Sequence, residues 1–185
     1  MSTQQQARLL RRFRWLHRKV AIVLFVFFLI ISVTGLLLGI KKNTGLLAPT
    51  QKGSSRQLSD WLPIDSLHKN AVQYLAAISP DLSPDIDRID IRPEKGVAKF
   101  TFKNHYHGLQ LDGSTGKLLL HEIRRSDWIE DLHDGSLVDS LIGTRDEPFK
   151  IGYTLMMGLS LFLLVITGVW LWWGPKRLRK SRGNH

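Results

Sequence analysis

The sequence predicts an α+β membrane protein in which two transmembrane helices flank a small extracytoplasmic domain, itself one helix on an antiparallel sheet. Three observations predict this fold class: two long apolar runs, basic residues beside both runs, and short stretches of alternating hydrophobicity between them. Residues 20–40 comprise 21 uncharged residues and residues 151–173 comprise 23. At about 1.5 Å per residue, a helix of either length crosses the roughly 30 Å of a bilayer's hydrocarbon.

The first apolar run is predicted to be a retained helix and not a cleaved signal peptide. A signal peptide has a shorter apolar core that ends in a small-residue cleavage site of the A-x-A type. Here the core is longer, and it is followed by Lys41, Lys42 and Asn43.

The charge distribution predicts the side of the membrane on which each segment lies. Six Lys and Arg residues and no acid precede Val20, and five basic residues and no acid follow Trp173. Residues 41–150 carry the other 15 basic residues and all 16 acids, a net charge of −1. The positive-inside rule therefore predicts cytoplasmic ends and a translocated middle, which in a bacterial inner membrane is periplasmic. The overall charge of +10 indicates contact with membrane lipid, and no nucleic-acid partner is expected.

The chain divides into seven predicted segments. They are a cytoplasmic basic N-terminus (1–19), a first transmembrane helix (20–40), a linker (41–60), a periplasmic domain (61–123), a membrane-surface segment (124–150), a second transmembrane helix (151–173) and a cytoplasmic basic tail (174–185). Aromatic residues of the kind that line membrane interfaces stand beside both basic ends: Phe13, Trp15, Trp170, Trp172 and Trp173.

The predicted domain combines one amphipathic helix with a small sheet. Apolar residues recur at helical spacing between Pro63 and Pro80. Period-two alternation follows in four short runs, which are separated by turn residues such as those at 112–116. Antiparallel strands of this kind leave one face of the sheet in water.

The segment before the second span loses this alternation. Trp128, Ile129, Leu132 and His133 are predicted to share one face of a short helix at the membrane surface, which Asp134 and Gly135 end.

Both spans contain a Thr-Gly pair in a similar context. IISVTGLLL of the first span includes Thr34 and Gly35, and LLVITGVWL of the second includes Thr167 and Gly168. Because the spans run in opposite directions, the two pairs lie at opposite depths. Small residues let another helix approach closely and a hydroxyl can bond across it, so helix packing is the simplest interpretation.

Several chemistries have no signature here. The chain contains no cysteine, which excludes thiolate catalysis, iron–sulfur clusters and disulfides. It has no G-x-G-x-x-G, P-loop, G-x-S-x-G or H-E-x-x-H motif, so binding of nicotinamide or nucleotide and hydrolysis by those devices are not indicated.

The order of motifs resembles that of the PepSY-associated transmembrane proteins. The resemblance rests on LHRKVAIVLF and SVTGLLL in the first span, LQLDGSTGKLL and DWIEDLHDGSLV in the middle, and ITGVWLWW in the second span. It implies that the middle segment is a PepSY-like domain. It also implies a ferric or ferrisiderophore reductase, in which membrane histidines hold haem b and electrons pass outward.

The resemblance directs attention to two histidines. His17 stands at the inner edge of the first span and His133 precedes the second span on the outer side, so they cannot share one haem. In a homodimer, each histidine can meet its copy across the two-fold axis and give a bis-histidine site. An interfacial histidine in a basic collar is also commonly a headgroup contact, and that reading stays open for His17.

Weaker candidates accompany these ligands. Met156 and Met157 can approach the outer haem, although methionine in an apolar helix is more often a packing residue. The Thr-Gly pairs at 34–35 and 167–168 would also allow close approach to a flat macrocycle.

Transient iron binding outside the membrane is a further expectation. It would use the acids around the second histidine and histidines of the domain, with solvated surface groups as the alternative. The candidates are Glu130, Asp131, Asp134, His105 and His107, with His68 and His121 beside them.

The predicted function is transfer of electrons across the inner membrane to ferric iron or a ferrisiderophore, which supports uptake of ferrous iron. The donor would be a membrane quinol or a cytoplasmic flavoprotein. The alternative is a non-catalytic PepSY membrane module that binds and regulates a partner protein.

Overall fold

A computed structural model describes residues 3–144 and 146–182. Outside the described residues lie 1, 2, 145 and 183–185. They belong to three of the predicted segments, 1–19, 124–150 and 174–185. The chain forms two compact units, residues 1–36 with 131–185 and residues 37–130.

Two long helices, α1 (Thr3–Gly39) and α5 (Pro148–Arg182), make up most of the first unit. Both are long and apolar enough to cross a membrane, as the sequence predicts. Helix α1 begins well before the uncharged run, because the Gln, Ala, Arg and Leu residues of its first turns are good helix formers.

Few side chains of the two long helices are buried. The buried side chains are Leu10, Leu24 and Thr34 of α1 and Tyr153, Met157 and Thr167 of α5. Only 11% of the most apolar window of each span is buried, so the remaining apolar surface needs lipid or another protein to cover it.

Two short helices precede α5. Helix α3 (Arg125–Asp134) ends at Gly135, whose φ of 85° is left-handed, so the predicted end is confirmed. Helix α4 (Ser136–Ile142) was not predicted, because seven residues give too little periodicity to recognise. The buried Asp139 carboxylate of α4 accepts hydrogen bonds from the backbone N–H groups of Phe149 and Lys150 and so caps the start of α5.

The second unit is one helix on a four-stranded antiparallel sheet. Its strands, β1 (Ile86–Arg92), β2 (Val97–Phe102), β3 (His107–Asp112) and β4 (Leu118–Ile123), pair in sequence order. Helix α2 (Ile64–Ile78) lies on one face, as predicted from its apolar spacing. The core residues are Leu67, Ala71 and Leu75 of α2 with Ala98, Phe100, Phe102, Leu109 and Leu111 of the sheet.

The opposite face of the sheet is not simply open to water, and here the sequence-based expectation was wrong. Gln110 and Asp112 point away from the core, yet they are only 0% and 3% exposed. Residues 49–55, which lie within the predicted linker, cross over them. We call this segment the strap.

Hydrogen bonds to two side chains hold the strap. The Gln110 amide accepts from the Gln51 N–H at 2.9 Å and donates to the Pro49 carbonyl at 3.1 Å. Asp112 Oδ2 accepts from the backbone N–H and the hydroxyl of Ser54, at 2.8 and 2.6 Å. Two polar residues on the outward face of a strand are thus buried because an irregular segment satisfies them.

Asp112 also closes the predicted β3–β4 turn. Its Oδ1 accepts from the N–H groups of Ser114 and Thr115, and Gly116 completes the turn with a φ of 69°. Burial raises the pKa of Asp112, but the hydrogen bonds from Ser54, Thr115 and Ser114 outweigh it and hold the pKa well below its usual range.

Candidate functional site

In the first unit, His17 of α1 contacts Thr167 of α5. The distance from His17 Nδ1 to Thr167 Oγ1 is 2.8 Å, a normal hydrogen bond. Thr167 is 0% exposed, so its hydroxyl depends on protein partners. Two residues 150 positions apart in sequence therefore meet in the membrane-spanning part of the molecule.

His133 of α3 makes the same kind of pair with Thr34 of α1. Its Nδ1 lies 2.8 Å from Thr34 Oγ1, and Thr34 is 5% exposed. The two predicted ligand histidines thus contact the two predicted Thr-Gly pairs. Among the described residues, Nε2 of neither histidine has a hydrogen-bond partner.

Each threonine hydroxyl also donates to its own helix. Thr167 Oγ1 lies 2.7 Å from the Leu163 carbonyl oxygen, four residues earlier. Thr34 Oγ1 lies 2.6 Å from the Ile30 carbonyl oxygen, again four residues earlier. Both hydroxyls therefore have a histidine on one side and a helix carbonyl on the other.

The glycine of each pair lies beside the imidazole ring. A Cβ at Gly35 would lie 3.3 Å from His133 Cε1, and a Cβ at Gly168 would lie 3.7 Å from His17 Cε1. The threonines are buried, as helix packing predicts, but the group that lies against each glycine is a histidine ring.

The two histidine–threonine pairs lie at different levels. His17 and Thr34 are both on α1, 17 residues apart, which is about 26 Å along a helix axis. His133 is at the level of Thr34 and His17 is at the level of Thr167. The prediction that the two histidines cannot share one haem therefore agrees with this spacing.

Aromatic rings pack against one another near both histidine–threonine pairs. The rings of Phe13 and Trp170 lie 5.8 Å apart, near His17 and Thr167 in sequence. At the other end, the Tyr153 ring packs on Gly135 and has its centroid 6.0 Å from that of Phe27.

The two methionines differ in their surroundings. Met157 is 4% exposed and belongs to the buried face of α5, whereas Met156 is 43% exposed. No hydrogen bond within the described residues joins either to His133. Their assignment as weak haem ligands stays a prediction.

The family model for the PepSY-associated TM region matches residues 14–185. The chain belongs to the PepSY-associated TM family. No curated protein matches it. Family membership and the two long apolar helices together make it a membrane protein.

The acids around His133 in this PepSY-associated TM protein already have partners. Glu130 lies 3.8 Å from Lys41 Nζ, and Asp131 accepts from the Ser136 hydroxyl at 3.1 Å. Asp134 accepts from the same hydroxyl at 2.6 Å and pairs with Lys150. These contacts fix the turn after His133, so any iron bound there would have to compete with them.

Burial raises the pKa of Asp134, but the hydrogen bonds from Ser136 and Lys150 outweigh it and lower the pKa overall. Asp134 is therefore a carboxylate at neutral pH, and it accepts the Ser136 backbone N–H at the start of α4.

Three of the domain histidines form a cluster at the β3–β4 hairpin. His107 Nδ1 lies 2.9 Å from His121 Nε2, and the His105 ring lies 5.5 Å from that of His107. His105 Nε2 lies 3.0 Å from the Ser83 carbonyl oxygen and its Nδ1 accepts the His107 N–H, so both its nitrogens are occupied.

The described residues contain no group of three His, Asp or Glu side chains arranged to hold a metal ion. His68 lies on α2 and has no hydrogen bond or ring contact with that cluster among the described residues. Iron binding by His105 and His107 thus stays a prediction without support from this geometry.

Sequence reasoning did not pair the histidines with the threonines. A signal was present, because the charge distribution predicts that His17 and Thr167 lie at the same end of their spans. The contacts of Gln110 and Asp112 with the strap had no comparable signal.

Proposed function

We propose that this protein binds haem b and carries electrons across the bacterial inner membrane to ferric iron or a ferrisiderophore in the periplasm, in support of ferrous iron uptake. The observation that carries the proposal is that His17 and His133, at two levels of the first unit, each form a hydrogen bond through Nδ1, and that Nε2 of neither has a partner among the described residues. Iron in haem proteins is commonly held by such imidazole nitrogens.

The residues present fit the group. An imidazole whose Nδ1 is held by a protein acceptor is the usual form of a metal-ligating histidine. A glycine beside each ring keeps that side of the imidazole free of a side chain. His17 and His133 would therefore hold the iron, and haem b would supply one-electron redox chemistry when bound.

Each level offers one of the two candidate histidines, so a second histidine that would hold the iron is proposed to come from a second copy of the chain. A two-fold axis would bring His17 to His17 and His133 to His133. The mostly exposed apolar faces of α1 and α5 support such a homodimer, because they need lipid or protein to cover them.

The direction of transfer follows from the charges. Basic residues at both chain ends favour a cytoplasmic His17 level and a periplasmic His133 level. Ferric iron gains one electron to become ferrous iron, and a membrane quinol or a reduced cytoplasmic flavoprotein supplies that electron. About 26 Å between the two levels is too far for one redox centre to serve both faces, so one haem at each level is proposed.

The absorption spectrum of the purified protein tests the proposal. Full-length protein isolated in detergent from haem-replete cells is expected to show a Soret band, with sharp α and β bands after reduction. His17→Ala and His133→Ala should each lose about half of the bound haem, whereas His68→Ala should lose none. A folded, colourless wild-type protein would overturn the proposal and favour a non-catalytic accessory module.

Ferric reduction by whole cells gives the second measurement. Cells with the wild-type protein are expected to reduce a ferric chelate faster than cells with either histidine variant at equal protein level. Equal rates would show that the two histidines are not needed for ferric reduction and would contradict that part of the proposal, whether or not haem is bound.

A further inference from the structure

We propose that Thr34 is a positioning residue for His133 and Thr167 a positioning residue for His17. Each threonine fixes the proton of its histidine on Nδ1, so that Nε2 is unprotonated and its lone pair points away from the threonine. The role of that lone pair as an iron ligand rests on the proposed function. The location of the proton does not, because it follows from the hydrogen bonds alone.

The single proton of the Thr167 hydroxyl is used within its own helix. A hydroxyl has one O–H to donate and two lone pairs. Thr167 Oγ1 is 2.7 Å from the Leu163 carbonyl oxygen and 3.1 Å from that of Leu164, and a carbonyl can only accept. The hydroxyl proton therefore goes to the helix backbone.

The contact with His17 must then run the other way. Thr167 Oγ1 meets His17 Nδ1 at 2.8 Å with a lone pair, so the imidazole is the donor. A neutral imidazole has one N–H, so a proton on Nδ1 leaves Nε2 unprotonated.

Thr34 repeats this arrangement independently. Its hydroxyl is 2.6 Å from the Ile30 carbonyl oxygen and 3.3 Å from that of Ile31, and it is 2.8 Å from His133 Nδ1. Two unrelated parts of the chain, an N-terminal helix and a short helix before α5, thus present histidine to threonine in the same way.

Burial strengthens the constraint. Thr34 and Thr167 are almost completely buried, and the hydrogen bonds that a buried hydroxyl makes are costly to lose. Loss of one such hydrogen bond is worth a factor of about five in an equilibrium, so without it the histidine would distribute its proton over both nitrogens.

Nitrogen NMR of the haem-free protein tests the inference. Full-length protein labelled with ¹⁵N-histidine in detergent should show protonated Nδ1 and unprotonated Nε2 for the two signals that His17→Ala and His133→Ala remove. Thr167→Val should shift only the His17 signals toward the other tautomer, and Thr34→Val only those of His133. Thr→Ser at either position should keep the wild-type signals.

The outcomes separate the two proposals. Wild-type signals with the proton on Nε2, or threonine-to-valine variants with unchanged signals, would overturn the positioning role. The expected tautomers in a protein that binds no haem would support it and contradict the proposed function. If both hold, each valine variant should bind haem about fivefold more weakly at one level, and serine should restore binding.

The valine variants carry their own control for folding. Each should leave the signals of the distant histidine unchanged, since the two levels lie about 26 Å apart. A variant that perturbs both histidines has lost its helical packing, and the serine variant at that position then decides the question.

Discussion

Gly35 lies so close to the ring of His133 that a Cβ there would be 3.3 Å from Cε1, whereas the same atom at Gly168 would be an ordinary 3.7 Å from His17 Cε1. The two histidine–threonine pairs are alike in their hydrogen bonds and differ in this clearance.

Alanine at these two glycines is therefore expected to act unequally. In Gly35→Ala, the His133 ring must move by a few tenths of an ångström and strain its rotamer by about 1 kcal/mol. Affinity for the proposed haem at that level should fall about fivefold, as measured by haem titration of the full-length protein.

Gly168→Ala is the matched control, because its contact stays within normal packing. Its haem affinity should equal that of the wild type. Equal losses in the two variants would show that the clearance around His133 does not matter.

Asp112→Asn is expected to loosen the strap. The carboxylate accepts from Ser54 with one oxygen and closes the β3–β4 turn with the other, and an amide cannot accept on both sides. A charge-assisted hydrogen bond contributes about 2 kcal/mol to holding the strap closed. Its loss would raise the rate of hydrogen exchange at the strap's amides about 30-fold. Hydrogen exchange of peptides covering residues 49–55 measures this.

Asp81→Asn serves as the control, since Asp81 is exposed. The pKa of Asp112 lies below its usual range, so the strap should stay protected at neutral pH and lose protection only as the pH falls below about 4. Unchanged exchange in Asp112→Asn would mean that Gln110 holds the strap without help.

The domain is expected to lose stability in mild acid through His107. Burial lowers the pKa of His107, and the neighbouring His121 and His105 lower it further. The unfolded chain therefore binds this proton more tightly than the folded one. Stability should fall as the pH drops below the ordinary histidine range near 6.5, by at most about 1.4 kcal/mol per pH unit.

Thermal melting of the full-length protein between pH 7.5 and 5 measures the effect. His107→Gln should flatten the pH dependence, and His68→Gln should keep the wild-type slope. A His107→Gln variant with an undiminished slope would assign the effect to other groups.

The local patterns of the sequence predicted much of the fold. The uncharged runs at 20–40 and 151–173 became α1 and α5, and alternation around Phe100 and Leu109 became paired strands. The left-handed Gly135 ended α3 where Asp134 and Gly135 indicated an end. These features depend on neighbours in sequence, which is why they were recognisable.

The candidate site was predicted only in its parts. His17, His133 and the two Thr-Gly pairs were all selected as functional candidates, but glycine was expected to approach a helix or a macrocycle. Its neighbour is an imidazole ring, and this depends on how α1, α3 and α5 pack. Likewise, Gln110 looked like an exposed strand residue until the strap covered it.

By itself, the sequence determined that the chain contains two membrane-spanning helices and that its domain combines one helix with a sheet, because hydropathy and periodicity act over a few turns or one strand. The tertiary structure alone decided that His17 meets Thr167 and that His133 meets Thr34. Those contacts join residues 150 and 99 positions apart. Their geometry is set by how α1 packs against α5 and α3, which no local pattern encodes.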